Sequence, residues 1–263
     1  MIDSHCHLDF DIFDNDLHKV IDSAKDAGVT RFLIPGTTPD GWQRQLQLRK
    51  SIEEIDIALG LHPYFPDTLN GENINKLQEA LTAHHERVVA LGEIGLDKTV
   101  DIAMAQQEHI LCEQLELAQS LNLPVILHHR KTHHLLLKHL NALNFTQGGV
   151  IHAFSGSEQV AREYIERGFY LGIGGTITYA RASKTRDTVA SLPLDRLLLE
   201  TDSPDMPLSG YQGKRNTPAK VSLVAQSLAE LHDTSVSDIS DITDENYRRL
   251  FRSVGNEGER PSA

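Results

Sequence analysis

Short apolar runs alternate with amphipathic stretches along the chain. Runs at 1–4, 31–35, 55–59, 88–91, 124–127, 149–151, 169–173 and 196–199 read as strands. The stretches between them, 14–27, 41–53, 74–85, 105–121, 132–143, 157–167 and 183–191, carry helical spacing. In 105–121 the apolar residues Ile110, Leu111, Leu115, Leu117, Ala118 and Leu121 mostly follow three- and four-residue steps. Gly28 and Gly168 stand where helix C-terminal caps belong. Two further helices are predicted over 219–231 and 237–252, and 256–263 reads as a frayed tail. Eight strand–helix alternations predict an α/β fold with a parallel sheet. Eight strands suit a closed (β/α)8 TIM barrel, here a single domain over 1–255.

No linker rich in Gly, Ser or Pro divides the chain. The longest irregular stretch, 203–218, follows the last strand and holds Pro204, Pro207, Gly210, Gly213 and Pro218. Connections of that length are often functional loops.

The polar residues that interrupt the apolar runs fall at one end of them. His5 and His7 close the first run, and side chains at i and i+2 of a strand share a face. His62 follows the third run, Glu93 the fourth, His128 the fifth, His152 the sixth and Asp202 the eighth. In a parallel barrel all strand C-termini share one rim, which carries the active site. Imidazoles and carboxylates converging there form a set suited to a catalytic metal. The flanking glycines of Glu93 leave room for close approach. Cys6 points away from its histidine neighbours and reads as a small core residue. His18, His84, His85, His109, His133, His134, His139 and His232 lie on helices or helix ends and read as structural or surface residues.

Composition narrows the partners. A hydrophobic share of 40% with 24% charged residues is that of a soluble globular chain. No run approaches the roughly 20 apolar residues that span a bilayer, and no signal core precedes His5. Two cysteines are too few for a disulfide framework, so a reducing cytoplasm is the expected location. The net charge of −12 opposes a broad basic grip on nucleic acid. Such a substrate would be held locally, by metals and a few basic side chains. No membrane contact and no obligate protein partner are expected.

At these same residues the chain resembles the TatD family of metal-dependent hydrolases, within the amidohydrolase-like barrels. The matching pieces are Ile2-Asp3-Ser4-His5-Cys6-His7-Leu8, Gly60-Leu61-His62-Pro63, Gly92-Glu93-Ile94-Gly95-Leu96-Asp97, Pro124-Val125-Ile126-Leu127-His128, His152-Ala153-Phe154-Ser155-Gly156 and Leu199-Glu200-Thr201-Asp202-Ser203-Pro204. The stretches Gly174-Gly175-Thr176-Ile177-Thr178-Tyr179 and Asp205-Met206-Pro207-Leu208 look most like a YjjV-like subgroup. Lys98, His129 and Ala153 depart from the residues common in the family, without removing a ligand.

The resemblance implies two divalent metal ions, zinc, magnesium or manganese. His5, His7 and Asp202 would hold one, His128 and His152 the other, and Glu93 would bridge them. It implies hydrolysis of a phosphodiester, most readily DNA, by two-metal activation of a bridging water with the ions about 3.5–4 Å apart. Asp202, Glu93 and His62 would be the catalytic residues; His62, Arg130 and Asp97 would contact substrate. The rival enzymatic reading is a carboxylic ester or amide hydrolase, including one for an aminoacyl-tRNA ester. The non-enzymatic rival is a metal-dependent scaffold or nucleic-acid binder.

Overall fold

The computed structural model describes residues 1–251. The tail expected at 256–263 lies outside the described residues. Eight parallel strands pair in chain order: β1 (Ile2–Asp3), β2 (Arg31–Ile34), β3 (Ile55–Leu59), β4 (Val88–Asp97), β5 (Val125–Arg130), β6 (Gly149–Ile151), β7 (Phe169–Ile173) and β8 (Leu197–Leu199). Helices α1 (Leu17–Asp26), α2 (Pro39–Ser51), α3 (Gly71–Ala83), α4 (Met104–Ser120), α5 (His133–Ala142), α6 (Glu158–Glu166) and α7 (Ser183–Ser191) connect them. Two terminal helices follow, α8 (Val221–Leu231) and α9 (Val236–Leu250). The predicted (β/α)8 barrel is the observed fold.

The chain closes on itself beyond the strands proper. Ser4 N donates to Leu199 O at 2.9 Å, Asp202 N to His5 O at 2.9 Å and His7 N to Ser203 O at 2.7 Å. This seam joins the first strand exit to the last.

The interior follows the period of two. Ile2, Leu33, Ala58, Ala90, Ile126, Val150, Tyr170 and Leu198, one from each strand, form a single buried apolar layer. Tyr247 and Phe251 pack into it from the N-terminal end, where Tyr247 Oη donates to Asp56 Oδ2 at 2.8 Å. The larger apolar cluster lies between strands and helices and includes Cys6, fully buried as expected of a small core residue.

Helix α4 does more than cover the sheet. Its buried face holds Gln107 and Gln114 among leucines and isoleucines. Gln107 Oε1 accepts from Asp97 N at 2.8 Å and its Nε2 donates to Asp97 O at 3.0 Å. Gln114 grips Leu61 N and O in the same way, at 2.8 and 3.2 Å. Both amides satisfy backbone groups that the sheet leaves unpaired. They also fix the chain next to His62 and at Asp97.

Candidate metal centre

One step of two beyond the apolar layer, the inward positions change character. Ile126 leads to His128, Val150 to His152, Leu198 to Glu200 and then Asp202. The same step takes Ala58 to Gly60, Ala90 to Gly92 and Tyr170 to Gly172, where the barrel has no side chain. That space is used: a Cβ on Gly172 would stand 2.1 Å from Glu200 Oε2. Two segments break the period. A bend at Ser4 and His5 turns both first histidines inward, and a register shift between Leu91 and Ile94 brings Glu93 to the same face as His128.

Glu93 is the hub. Its Oε2 lies 3.1 Å from His5 Nε2 and 3.7 Å from His7 Nε2. Its Oε1 lies 3.1 Å from His128 Nδ1, 3.2 Å from His62 Nε2 and 4.0 Å from His152 Nε2. Asp202 faces both groups, with Oδ1 3.6 Å from His5 Nε2 and His7 Nε2, and Oδ2 3.6 Å from His152 Nε2. The two oxygens of one half-buried carboxylate thus address two sets of imidazoles.

A second tier orients the rings. His128 Nε2 meets Asp97 Oδ2 at 3.1 Å. His152 Nδ1 lies 2.9 Å from Glu200 Oε1, an ion pair set off the line of a hydrogen bond, and Glu200 Oε1 also accepts from Ala153 N at 2.7 Å. Asp3 accepts from His5 N at 3.3 Å and from Thr201 N at 3.0 Å, tying the first histidine to the segment after the last strand. His62 Nδ1 accepts from Tyr64 N at 3.0 Å. A neutral His62 therefore keeps its proton on Nε2, so this nitrogen donates into the site.

The charges follow this arrangement. Burial works against ionisation of Glu93, but His62, His5 and His152 around it hold its carboxyl well below the usual range. Asp202 is held down to about 2: burial opposes its charge, and His152, His7 and His5 overrule it. Burial equally opposes a charged His152, yet Glu200, Asp202 and Glu93 push it up to about 10. His5 and His62 go the other way, lowered chiefly by desolvation. Burial raises Asp3 to about 8 despite its hydrogen bonds.

The donor set fits metal ions. His5 Nε2 and His7 Nε2 stand 3.3 Å apart with both rings buried. Metal bonds of about 2.0–2.2 Å bring neighbouring ligands to roughly 3–3.5 Å of one another. Three overlapping groups meet that condition loosely: His5, His7 and Glu93; His5, His152 and Glu200; His62, Glu93 and His128. A cavity of about 230 Å³ opens above them, lined by His7, His62, Glu93, His128, His152 and Asp202 among others.

The family model for TatD related DNase matches residues 2–252. The chain belongs to the TatD-related DNase family. The metal-dependent hydrolase YjjV of Escherichia coli (strain K12) is 43% identical over 251 residues, 95% of this chain and 97% of that one. The 3'-5' ssDNA/RNA exonuclease TatD of Cronobacter sakazakii is 34% identical over 258 residues, 95% and 97% of the two chains. The crystal structure of YjjV, a TatD homologue from Escherichia coli K12, superposes with a TM-score of 0.92 and covers 96% of this chain and 98% of its own. The phosphotriesterase homology protein of Escherichia coli, at 14% identity and a TM-score of 0.65, shares the fold alone. This TatD-family chain is thus a metal-dependent hydrolase.

Not every residue expected at the site of this TatD-family protein reaches the cavity. His5, His7, His62, Glu93, His128, His152 and Asp202 converge, and all but the fully buried His5 line the cavity. Asp97, expected to contact substrate, is buried, engaged by His128 and by Thr99 N and Oγ1, and absent from the lining of the cavity. Arg130 is exposed, and it is absent from the lining of the cavity. Glu200 and Asp3, which contact His152 and His5, and Phe10, Tyr64 and Phe65, which line the cavity, are not among the residues expected from the sequence. The signal for Glu200 was present, since it stands two residues before Asp202 on the same face. His133 and His134 lie on α5, as expected, and His133 bonds to Tyr164 Oη and Ser155 O.

Proposed function

We propose that this chain hydrolyses phosphodiester bonds, most readily in DNA, with two divalent metal ions held around Glu93. The observation that carries the reading is the division of Glu93, with Oε2 toward His5 and His7 and Oε1 toward His62, His128 and His152. His5, His7 and Asp202 would hold one ion, His128 and His152 the other, and Glu93 both. Nitrogen-rich ligand sets favour zinc or another transition metal, and the carboxylates also admit magnesium or manganese. When bound, such ions lower the pKa of a shared water and offset charge on phosphate oxygens.

The protein's own groups complete the chemistry. Asp202, ionised at neutrality, orients the water and accepts its proton as the water oxygen forms its bond to phosphorus. The bond from phosphorus to the leaving alkoxide breaks in line. His62 Nε2, fixed as a donor by Tyr64 N, stabilises charge growing on a non-bridging oxygen. Asp97 and Glu200 hold the rings of His128 and His152 in register. Cys6 and Cys112 are both free thiols, which supports a cytoplasmic setting.

Turnover of single-stranded DNA and of simple carboxylic esters, measured together with metal content, tests this. DNA cleavage lost in chelator, restored by one divalent ion and absent in Glu93→Ala is the expected result. Rapid ester hydrolysis with inert DNA would overturn it. Tight DNA binding unchanged in a Glu93→Ala/Asp202→Ala variant, with no turnover by the parent, would favour a scaffold.

A further inference from the structure

A second cavity of about 580 Å³ adjoins the metal centre. Phe10, Thr37 and Phe65 line both spaces. The inner one, at about 230 Å³, falls below the roughly 300–1,000 Å³ of sites that enclose an organic ligand, while the outer one lies within it. A phosphate fits inside; whatever is attached to it must extend outward.

The chemistry of the outer cavity excludes a second phosphate. Asp9, Asp11 and Asp40 contribute carboxylates to it, and the guanidinium of its Arg44 is engaged by Asp11 at 3.0 Å and by Asp14. Its walls are apolar and aromatic instead. The ring of Phe10 stacks on His7 at 4.6 Å between centroids, and Phe65 stands edge-on to His62 at 6.2 Å. Among the described residues the exposed large apolar side chains are Ile12 at 54%, Tyr64 at 66% and Val236 at 39%. Ile12 lines the outer cavity and Tyr64 the inner one. Asp9 is 5% exposed; Gln45 donates to its Oδ2, and its Oδ1 has no partner. A buried acceptor without a donor is costly, and an N–H from a ligand relieves it.

We infer that the cavity walled by Phe10, Phe65 and Ile12 is a nucleobase subsite, holding a base next to the scissile phosphate. A flat, neutral ring with N–H groups on its edge suits aromatic walls, an apolar rim and one orphaned carboxylate oxygen. The inference rests on the phosphodiester reading and names which part of the substrate is gripped away from the metals.

Binding isolates the base from the chemistry. Titration calorimetry compares dAMP with 2-deoxyribose 5-phosphate, which carry the same phosphate. The parent protein is expected to bind dAMP at least about tenfold more tightly, within the range of base–aromatic stacking. Gly41 lines the cavity, and a Cβ there meets only Thr38 Oγ1 at 3.3 Å and Asp9 Oδ2 at 3.7 Å. Gly41→Leu should therefore fill the space and remove the advantage of dAMP while leaving sugar phosphate affinity as it was. Ile12→Ser, at an exposed position, should narrow the advantage. Equal affinities in the parent overturn the inference, as does an advantage that survives a folded Gly41→Leu. Should Gly41→Leu not fold, an advantage unmoved by Ile12→Ser overturns it. A parent that prefers dAMP yet leaves DNA uncut defeats the phosphodiesterase reading and leaves the subsite standing.

Discussion

Glu200 Oε1 sits 2.9 Å from His152 Nδ1 while accepting from the backbone of Ala153, so one buried carboxylate sets both the ring and the turn that carries it. Glu200→Ala removes both supports without touching the cavity lining. Metal affinity should fall about 10–100-fold, as for other partners that orient a ligand imidazole. Glu200→Gln, which keeps an oxygen for Ala153, should lose less. Metal content after dialysis against graded chelator measures this; unaltered retention in Glu200→Ala would dismiss the role.

Gly172 gives the same carboxylate its room. A methyl group there would stand 2.1 Å from Glu200 Oε2 and 2.7 Å from Cδ. Gly172→Ala should destabilise the protein by about 1–3 kcal/mol through overpacking. It should also reproduce the metal loss of Glu200→Ala, although position 172 bears no ligand atom. Thermal unfolding and metal retention together distinguish this from a bland strand substitution.

The proton on His152 competes with a metal ion. Its folded pKa of about 10 lies above the ordinary histidine value of 6.5. In the metal-free protein this proton therefore adds stability that is complete below about pH 6.5 and fades as pH rises toward about 10. An ion held at Nε2, as proposed, would release it, so metal affinity should climb with pH, by about tenfold per unit for each proton displaced. Calorimetry at pH 8 in buffers of different ionisation enthalpy reads the release directly. Heats that do not depend on the buffer would contradict it.

At the opposite end of the barrel, Tyr247→Phe deletes the hydrogen bond to Asp56 and leaves a buried carboxylate oxygen short of a donor. A loss of about 1–3 kcal/mol is expected. The turnover number should not change, because Tyr247 packs beneath the apolar layer and the chemistry lies above it. Urea unfolding and steady-state kinetics check the two halves separately.

Much of this was legible from periodicity. His128, His152 and Asp202 continue the inward parity of Ile126, Val150 and Leu198, so strand patterning alone brings them together. His5 and Glu93 depart from that parity. Their inward turn comes from a bend and a register shift that no alternation of polar and apolar residues encodes. The fourth apolar run, 88–91, is only the first part of its strand, which continues to Asp97 and pairs through Gly95 with His128 and through Asp97 with Arg130. Arg130 is exposed although it keeps the parity of His128. It is two residues past His128, and the strand has by then reached the exposed rim. Gln107 and Gln114 interrupt the buried apolar face of α4, and only the fold reveals the backbone groups they serve.

The seam between the first and last strands has a consequence for biosynthesis. His5 is synthesised nearly two hundred residues ahead of its backbone partner Asp202. A growing chain that stops short of Asp202 lacks one of the proposed ligands and the closing hydrogen bonds alike. Arrested chains ending before Asp202 should therefore show no turnover in any divalent metal.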